Sequence, residues 1–145
     1  MDTVPPITDD EIVLRHVPGG TTWQVPGPRL TSANFRPRTH RDEFTISINR
    51  LRFTTPERLI ELVGGNVATG SRVAWATAGA IRALGFHVEP KPIPPHDLGH
   101  AEIESTDAAS LESNLGPKHL AALFQFADRI PIPDQGSSDT PPTPS

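Results

Sequence analysis

The sequence predicts a single α+β domain: a small mixed or antiparallel sheet of about five strands, with two to three helices packed on one side. Two observations favour this class. Short β-branched or alternating segments recur at residues 11–17, 44–49, 71–77, 86–90 and 100–104. Between and after them lie segments with helical apolar periodicity, each opened by a threonine or proline suited to a helix N-terminus. The length of 145 residues is also near that of one domain.

The first strands are predicted from alternation. EIVLRHV, 11–17, places its odd and even positions on opposite faces of a strand. LTSANF, 30–35, is expected to form a short strand, and the charged residues 36–43 a loop. FTISINRLRF, from residue 44, alternates apolar and polar residues and is typical of a half-buried strand that bends near Arg50.

TTPERLIELVGG is the clearest helix signal, because Thr55 can cap the helix and Pro56 suits its first position. Its predicted core-facing stripe consists of Leu59, Ile60, Leu62 and Val63. SRVAWAT then predicts a strand, followed by a short helix that Thr77 opens and Gly85 ends. The last helix is predicted to open at Pro117 and to continue through KHLAALFQFADRI.

Composition divides the chain into a flexible N-terminus, 1–9, a single domain, 10–132, and a Pro/Ser/Thr-rich tail, 133–145, predicted to be disordered. Cysteine is absent, which excludes disulfides and thiolate zinc sites. No apolar run approaches the ~20 residues that span a bilayer, and the N-terminus does not resemble a signal peptide. We therefore expect a cytoplasmic protein that is not bound to a membrane.

Charge argues against nucleic acid as a partner, because the chain carries a net charge of −4. The arginines are nevertheless concentrated in residues 29–52. The plainer interpretation is a solvated loop with arginines on edge strands, and the other is a face that binds anions.

PPHDLGHAEIE, 94–104, raises the question of a metal site, because His96 and His100 lie four residues apart. That spacing holds a metal on a helix, but the two prolines and Gly99 disfavour helical geometry here. We therefore predict that His100 begins a strand, that His96 stays in the preceding loop, and that no metal binds. On that strand Ala101 and Ile103 would face the core, and His100, Glu102 and Glu104 solvent or a cleft.

Arg15 is unusual because it sits in the middle of a predicted strand between valine neighbours on its own face. Together with a strand serine, Ser32 or Ser47, and Glu102-x-Glu104, it resembles the Arg…Ser…Glu-x-Glu order of one class of ADP-ribosyltransferases. The resemblance implies that Arg15 binds a dinucleotide phosphate, that the serine braces the site and that Glu104 contacts the nicotinamide ribose. The Ser-Thr-Ser triplet of that family is absent.

Two hypotheses of function follow. The first is a binding module without a catalytic residue or cofactor, which holds an unknown protein or small-molecule ligand through candidates among Arg15, Ser32, Ser47 and His100. The second is a small nucleotide-using enzyme of the ADP-ribosyltransferase-like type, in which His100, Glu102 and Glu104 are the catalytic candidates. They are distinguished by whether Arg15, Ser47, His100 and Glu104 line one pocket.

Overall fold

The structure is a computed structural model that describes residues 4–18, 30–39, 43–65 and 70–126. The excursion around Trp23 and the tail at 133–145 lie outside the described residues. In the parts of the chain that are described, no helix is both long and apolar enough to cross a lipid bilayer.

A six-stranded antiparallel sheet with three helices forms the domain, which confirms the α+β prediction. The strands are β1 (Ile12–Val17), β2 (Ile46–Arg50), β3 (Arg72–Thr77), β4 (His87–Pro90), β5 (His100–Glu104) and β6 (Gln125–Phe126). The helices are α1 (Pro56–Leu62), α2 (Ala78–Ala83) and α3 (Leu115–Leu123). The spatial order of the strands is β4-β5-β2-β1-β3-β6, and every paired strand is antiparallel to its neighbour.

The two faces of the sheet carry separate apolar clusters. Residues such as Val13, Ile48 and Ile103 form the larger one with α2, α3 and the segment around Phe35. On the opposite face, β1 and β3 pack against Leu59 of α1. Two helices, α2 and α3, therefore pack on one side of the sheet, within the predicted two to three, and α1 covers the other side because β1 and β3 have apolar residues on both faces.

Helix α1 begins as predicted, since the Thr55 side chain accepts a hydrogen bond from the Arg58 backbone N–H at 3.1 Å. Its apolar stripe is narrower than expected. Leu59 and Ile60 are buried, whereas Leu62 is 40% exposed and Val63 is exposed as well. Because α1 is short and packs on only two strands, β1 and β3, it buries only the side chains that point directly at the sheet.

Two predicted elements take other forms. Residues Ser32–Phe35 form a 3-10 turn rather than a strand, because the Asn34 side chain accepts the Thr31 backbone N–H at 2.9 Å. Helix α3 begins at Leu115 and ends at Leu123, and Gln125–Phe126 then pairs with β3. Backbone pairing along the open edge of β3 thus replaces the last turns of the predicted helix.

The segment 94–104 folds as the sequence predicts. His100 is the first residue of β5, and His96 lies in the preceding loop. Ala101 and Ile103 are completely buried, whereas His100, Glu102 and Glu104 share the opposite, partly open face.

A buried ion pair attaches the N-terminal segment to the sheet. The Arg50 side chain is 0% exposed and forms two hydrogen bonds with the Glu11 carboxylate, one of them 2.8 Å between Nη2 and Oε1. The same guanidinium donates to the backbone carbonyls of Pro5, at 2.7 Å, and Pro6, at 3.3 Å. Ile7 joins the larger apolar cluster. The described residues before the predicted domain start therefore pack onto the domain.

Candidate functional site

A cleft opens where β1 and β2 separate. The two strands pair only at Val13↔Arg50 and Leu14↔Asn49, although β1 pairs with β3 along its whole length. Beyond this point lies a cavity of about 420 Å³, here called the β1–β2 cleft. The polar and charged side chains used below are among its lining: Arg15, His16, Arg36, Arg38, Glu43, Ser47 and Asn49.

The Arg15 guanidinium bridges the separated strands. Its Nη1 donates to the Ser47 carbonyl at 2.9 Å, and its Nε donates to the Asn34 carbonyl at 3.0 Å. The Ser47 carbonyl thus receives a side-chain donor where backbone pairing with β1 has ended. These two bonds fix the plane of the guanidinium inside the cleft.

Arg15 has no acidic partner within the described residues. Burial first, and then the positive charge of Arg38, together lower its pKa to about 10. A pKa of about 10 still leaves the group protonated at neutral pH. The cleft therefore contains a desolvated positive charge that no described carboxylate neutralises.

Neighbouring charges add to this positive field. Arg36 and Arg38 also line the cleft, and Glu43 is the only acid among its described lining residues. The Glu43 carboxylate lies 3.9 Å from Arg38 Nε, and both side chains are largely exposed. The described lining therefore has an excess of positive charge in a chain whose net charge is −4.

Ser47 and His100 meet on the open face of β2 and β5. His100 Nε2 lies 3.3 Å from Ser47 Oγ, and His100 Nδ1 lies 3.0 Å from the Lys91 carbonyl oxygen. Since a carbonyl only accepts, Nδ1 carries the proton in the neutral ring and Nε2 is left as the acceptor. The Ser47 hydroxyl therefore donates to the free lone pair of Nε2.

The loop before β5 is held in place by two sets of contacts. Lys91 donates its backbone N–H to the His100 carbonyl at 2.9 Å. Asn49 Nδ2 donates to Asp97 Oδ1 at 2.7 Å, which attaches the loop to β2. The Lys91 carbonyl that orients the imidazole therefore belongs to a fixed backbone.

His16, on the β1 side of the cleft, forms a second serine–histidine contact, with 3.2 Å between its Nε2 and Ser71 Oγ. Burial lowers the pKa of His16, and the adjacent Arg15 charge lowers it further. His16 is therefore held in its neutral form beside a positively charged arginine.

The structure brings together three of the residues predicted from the sequence. Arg15 and Ser47 line the same cleft, and His100 contacts Ser47. Glu102 lies directly across from Ser47 in the β2–β5 pairing, and the two residues line an adjoining hollow.

The other predicted residues lie apart from the cleft. Ser32 lines a separate hollow beside Lys118 of α3. Glu104 lies opposite His87 at the far end of β5, and its carboxylate is 3.5 Å from Lys91 Nζ. Within the described ranges, no group of three His, Cys, Asp or Glu side chains is arranged to hold a metal ion.

Sequence reasoning missed His16, Glu43 and Asn49. Alternation along β2 does place Asn49 on the polar side of its strand, but alternation along β1 places His16 on the same face as the apolar Ile12 and Leu14. It contains no signal that the two strands separate at this point, so it could not indicate a cleft there.

Comparison with known proteins adds no further constraint on this site. No protein-family model, no curated protein and no solved structure matches the chain.

Proposed function

We propose that this domain is a binding module for a small anionic ligand, held in the β1–β2 cleft by Arg15. The observation that carries the proposal is a half-buried guanidinium with no carboxylate partner among the described residues. Withdrawing a charge from water is unfavourable unless a partner compensates for it. A ligand carboxylate or phosphate would provide that compensation.

The hydrogen bonds of Arg15 support this use. Nε and Nη1 are occupied by backbone carbonyls, whereas Nη2 has no hydrogen-bond partner in the described part of the chain. An arginine whose plane is already fixed loses little further freedom when it donates to an anion. The charge-assisted hydrogen bond to such an anion is stronger than one between neutral groups.

The shape of the site favours a small molecule over a protein surface. A cavity of about 420 Å³ lies in the range of ~300–1,000 Å³ typical of ligand pockets. Arg36 and Arg38 strengthen the attraction for an anion, and Glu43 limits it. The absence of cysteine is compatible with a reducing compartment, so the cytoplasm is our proposed location.

Isothermal titration of the protein with inorganic phosphate and with acetate, at low ionic strength, tests the proposal. We expect saturable binding of at least one anion, and Arg15→Met should weaken it about tenfold or more, since a hydrogen bond to a charged group contributes ~1.5–3 kcal/mol. Arg52→Met is the matched control, because Arg52 lies against Phe53, 5.7 Å from the ring centre, and does not line the cleft. Equal affinity of wild type and Arg15→Met would overturn the proposal.

A nucleotide-using enzyme of the ADP-ribosyltransferase-like type is the second candidate, supported by the proximity of Arg15, Ser47 and His100. The glutamate that the resemblance assigns to the nicotinamide ribose, Glu104, lies beside Lys91 instead. Titration with nicotinamide adenine dinucleotide separates the candidates. Binding that depends on Arg15, with nicotinamide release that Glu104→Gln abolishes, would favour the enzyme.

A further inference from the structure

The geometry points to a second property of this cleft: we propose that Ser47 and His100 form a nucleophile–base pair that accepts an acyl group from an ester with an anionic acyl chain. The proposal rests on the anion site at Arg15 for its substrate class. The reactivity of Ser47 itself rests on different contacts, so the two can fail separately.

The pair has the three parts of an activated hydroxyl. Ser47 is exposed and supplies the oxygen, and His100 Nε2 lies 3.3 Å away with its lone pair toward that oxygen. The Lys91 carbonyl, 3.0 Å from Nδ1, fixes the tautomer in which Nε2 is the base. Because the loop that carries Lys91 is bonded to β5, this orientation does not need a substrate to form.

The His16–Ser71 contact shows what distinguishes Ser47. Its Nε2–Oγ distance is 3.2 Å, so the two atoms of the pair are as close as in Ser47–His100. Ser71 is only 6% exposed, however, and His16 Nδ1 has no hydrogen-bond partner among the described residues. Only the Ser47–His100 pair combines a fixed tautomer with access for a substrate.

The substrate class follows from the charges on either side of Ser47. Arg15 donates to the carbonyl of Ser47 itself, so the guanidinium lies beside the backbone of the proposed nucleophile. Glu102 lies directly across from Ser47 on β5 and repels an anion on that side. An acyl chain ending in a carboxylate would therefore bind toward Arg15 and leave its ester group near Ser47 Oγ.

The reaction is ester hydrolysis in two steps, with water as the only co-reactant. Ser47 Oγ bonds to the ester carbonyl carbon while its proton passes to His100 Nε2. The bond from that carbon to the alcohol oxygen then breaks, and the departing oxygen takes the proton from Nε2. A water molecule repeats the sequence: Nε2 accepts its proton, its oxygen bonds to the acyl carbon, and Ser47 Oγ leaves and recovers the proton.

The experiment compares p-nitrophenyl acetate with the anionic mono-p-nitrophenyl succinate, using phenolate release and mass spectrometry of the acylated peptide. We expect acylation of Ser47, about tenfold or more faster with the succinyl ester, since a hydrogen bond to a charged group contributes ~1.5–3 kcal/mol. Ser47→Ala should abolish that adduct. His100→Gln should slow its formation by ~10²–10⁴, the usual contribution of a general base. Ser71→Ala is the matched control and should react like wild type.

Two further results decide between the parts of the proposal. Arg15→Met should lower the ratio of the two acylation rates, succinyl ester over acetate ester, to about one. If neither ester acylates Ser47 although phosphate still binds, the nucleophile proposal is overturned and the anion site stands. If the acetate and succinyl esters acylate Ser47 at the same rate as each other, in wild type as in Arg15→Met, the proposed preference for an anionic substrate is overturned. Circular dichroism checks the folding of each variant, and if His100→Gln does not fold, loss of the adduct in Ser47→Ala carries the test.

Discussion

Arg50 and Arg15 lie on neighbouring strands and the same sheet face, yet their environments are opposite. Arg50 sits across from Val13, and Arg15 follows Val13 by two residues on the adjacent strand. Arg50 is completely buried against Glu11, whose side chain is 8% exposed. Arg15 is half-buried, and only backbone carbonyls hold it among the described residues. The fold neutralises the charge of Arg50, and our proposal assigns the charge of Arg15 to a ligand.

The difference teaches how the same residue type can serve stability or binding. Burial of a paired charge is tolerated because its partner and its hydrogen bonds offset the lost hydration. Burial of a charge without an acidic partner is less favourable, and we propose that a ligand compensates for it at Arg15. Desolvation first, and then Arg38, lower the pKa of Arg15, and no carboxylate among the described residues offsets them.

The largest effect is expected at the paired arginine. Glu11→Ala should lower the free energy of unfolding by ~3–5 kcal/mol, because Arg50 would remain buried without its counter-charge. Urea denaturation measures the change. Asp9→Ala is the control: Asp9 pairs with Arg82 at 2.8 Å but is 78% exposed, so its loss should matter by less than ~1 kcal/mol. Equal losses in the two variants would remove the distinction between a structural pair and a surface pair.

The next effect concerns the apolar wall of the cleft that Arg15 enters. Leu59 of α1 is buried and lines the cleft, so Leu59→Ala should destabilise the protein by ~2–5 kcal/mol. Leu62→Ala, on the exposed side of the same helix, should change stability by less than ~0.5 kcal/mol. Urea denaturation of both variants is the measurement. A small effect at Leu59 would mean that α1 is not packed on the sheet and that Arg15 is more hydrated than the structure indicates.

Replacement of Arg15 should have little effect on the ligand-free protein. Arg15→Met removes a desolvated charge but also removes the donor to the Asn34 and Ser47 carbonyls. Because these two effects oppose each other, we expect a change within ~1 kcal/mol. Phosphate should raise the unfolding midpoint of wild type by mass action and leave that of Arg15→Met unchanged. A loss as large as that in Glu11→Ala would show that Arg15 is structural.

The smallest effect is a pKa change at His16. Burial and then Arg15 hold its pKa below the usual 6.5, so the folded state favours the neutral ring. Its contribution to stability is present above that value and declines as the pH falls below it, because the unfolded state takes up the proton first. Arg15→Met should raise the pKa of His16, and Arg52→Met should not. Proton NMR titration of the imidazole measures this pKa. An unchanged pKa in both variants would show that the charge of Arg15 does not act on His16.

Local signals allowed much of this fold to be predicted from the sequence. Alternation located the strand cores, and Thr55 with Pro56 located the start of α1. The side of the sheet that α1 covers was not predictable, because it depends on which strands become neighbours. The Asn34 side chain accepts the backbone N–H of Thr31, and a 3-10 turn forms there in place of a predicted strand.

The site was only partly predictable for the same reason. Arg15, Ser47 and His100 were identified as polar residues on strands, but alternation does not state which strands lie side by side. The Glu11 partner of Arg50 is 39 residues away in the chain, and only the antiparallel pairing of β1 and β2 brings the two together. That pairing gives Arg50 its acidic partner, and the point where it ends opens the cleft beside Arg15.

One NMR experiment compares the two arginines directly: titration of the wild-type protein with phosphate, observed at the Nε–Hε signals of Arg15 and Arg50. Both Nε atoms donate hydrogen bonds in the ligand-free protein, to the Asn34 carbonyl and the Glu11 carboxylate respectively. We expect the Arg15 signal to shift saturably and the Arg50 signal to stay in place. A saturable shift of Arg50, or phosphate binding that leaves Arg15 unchanged, would contradict the assignment of Arg15 as the ligand-binding group.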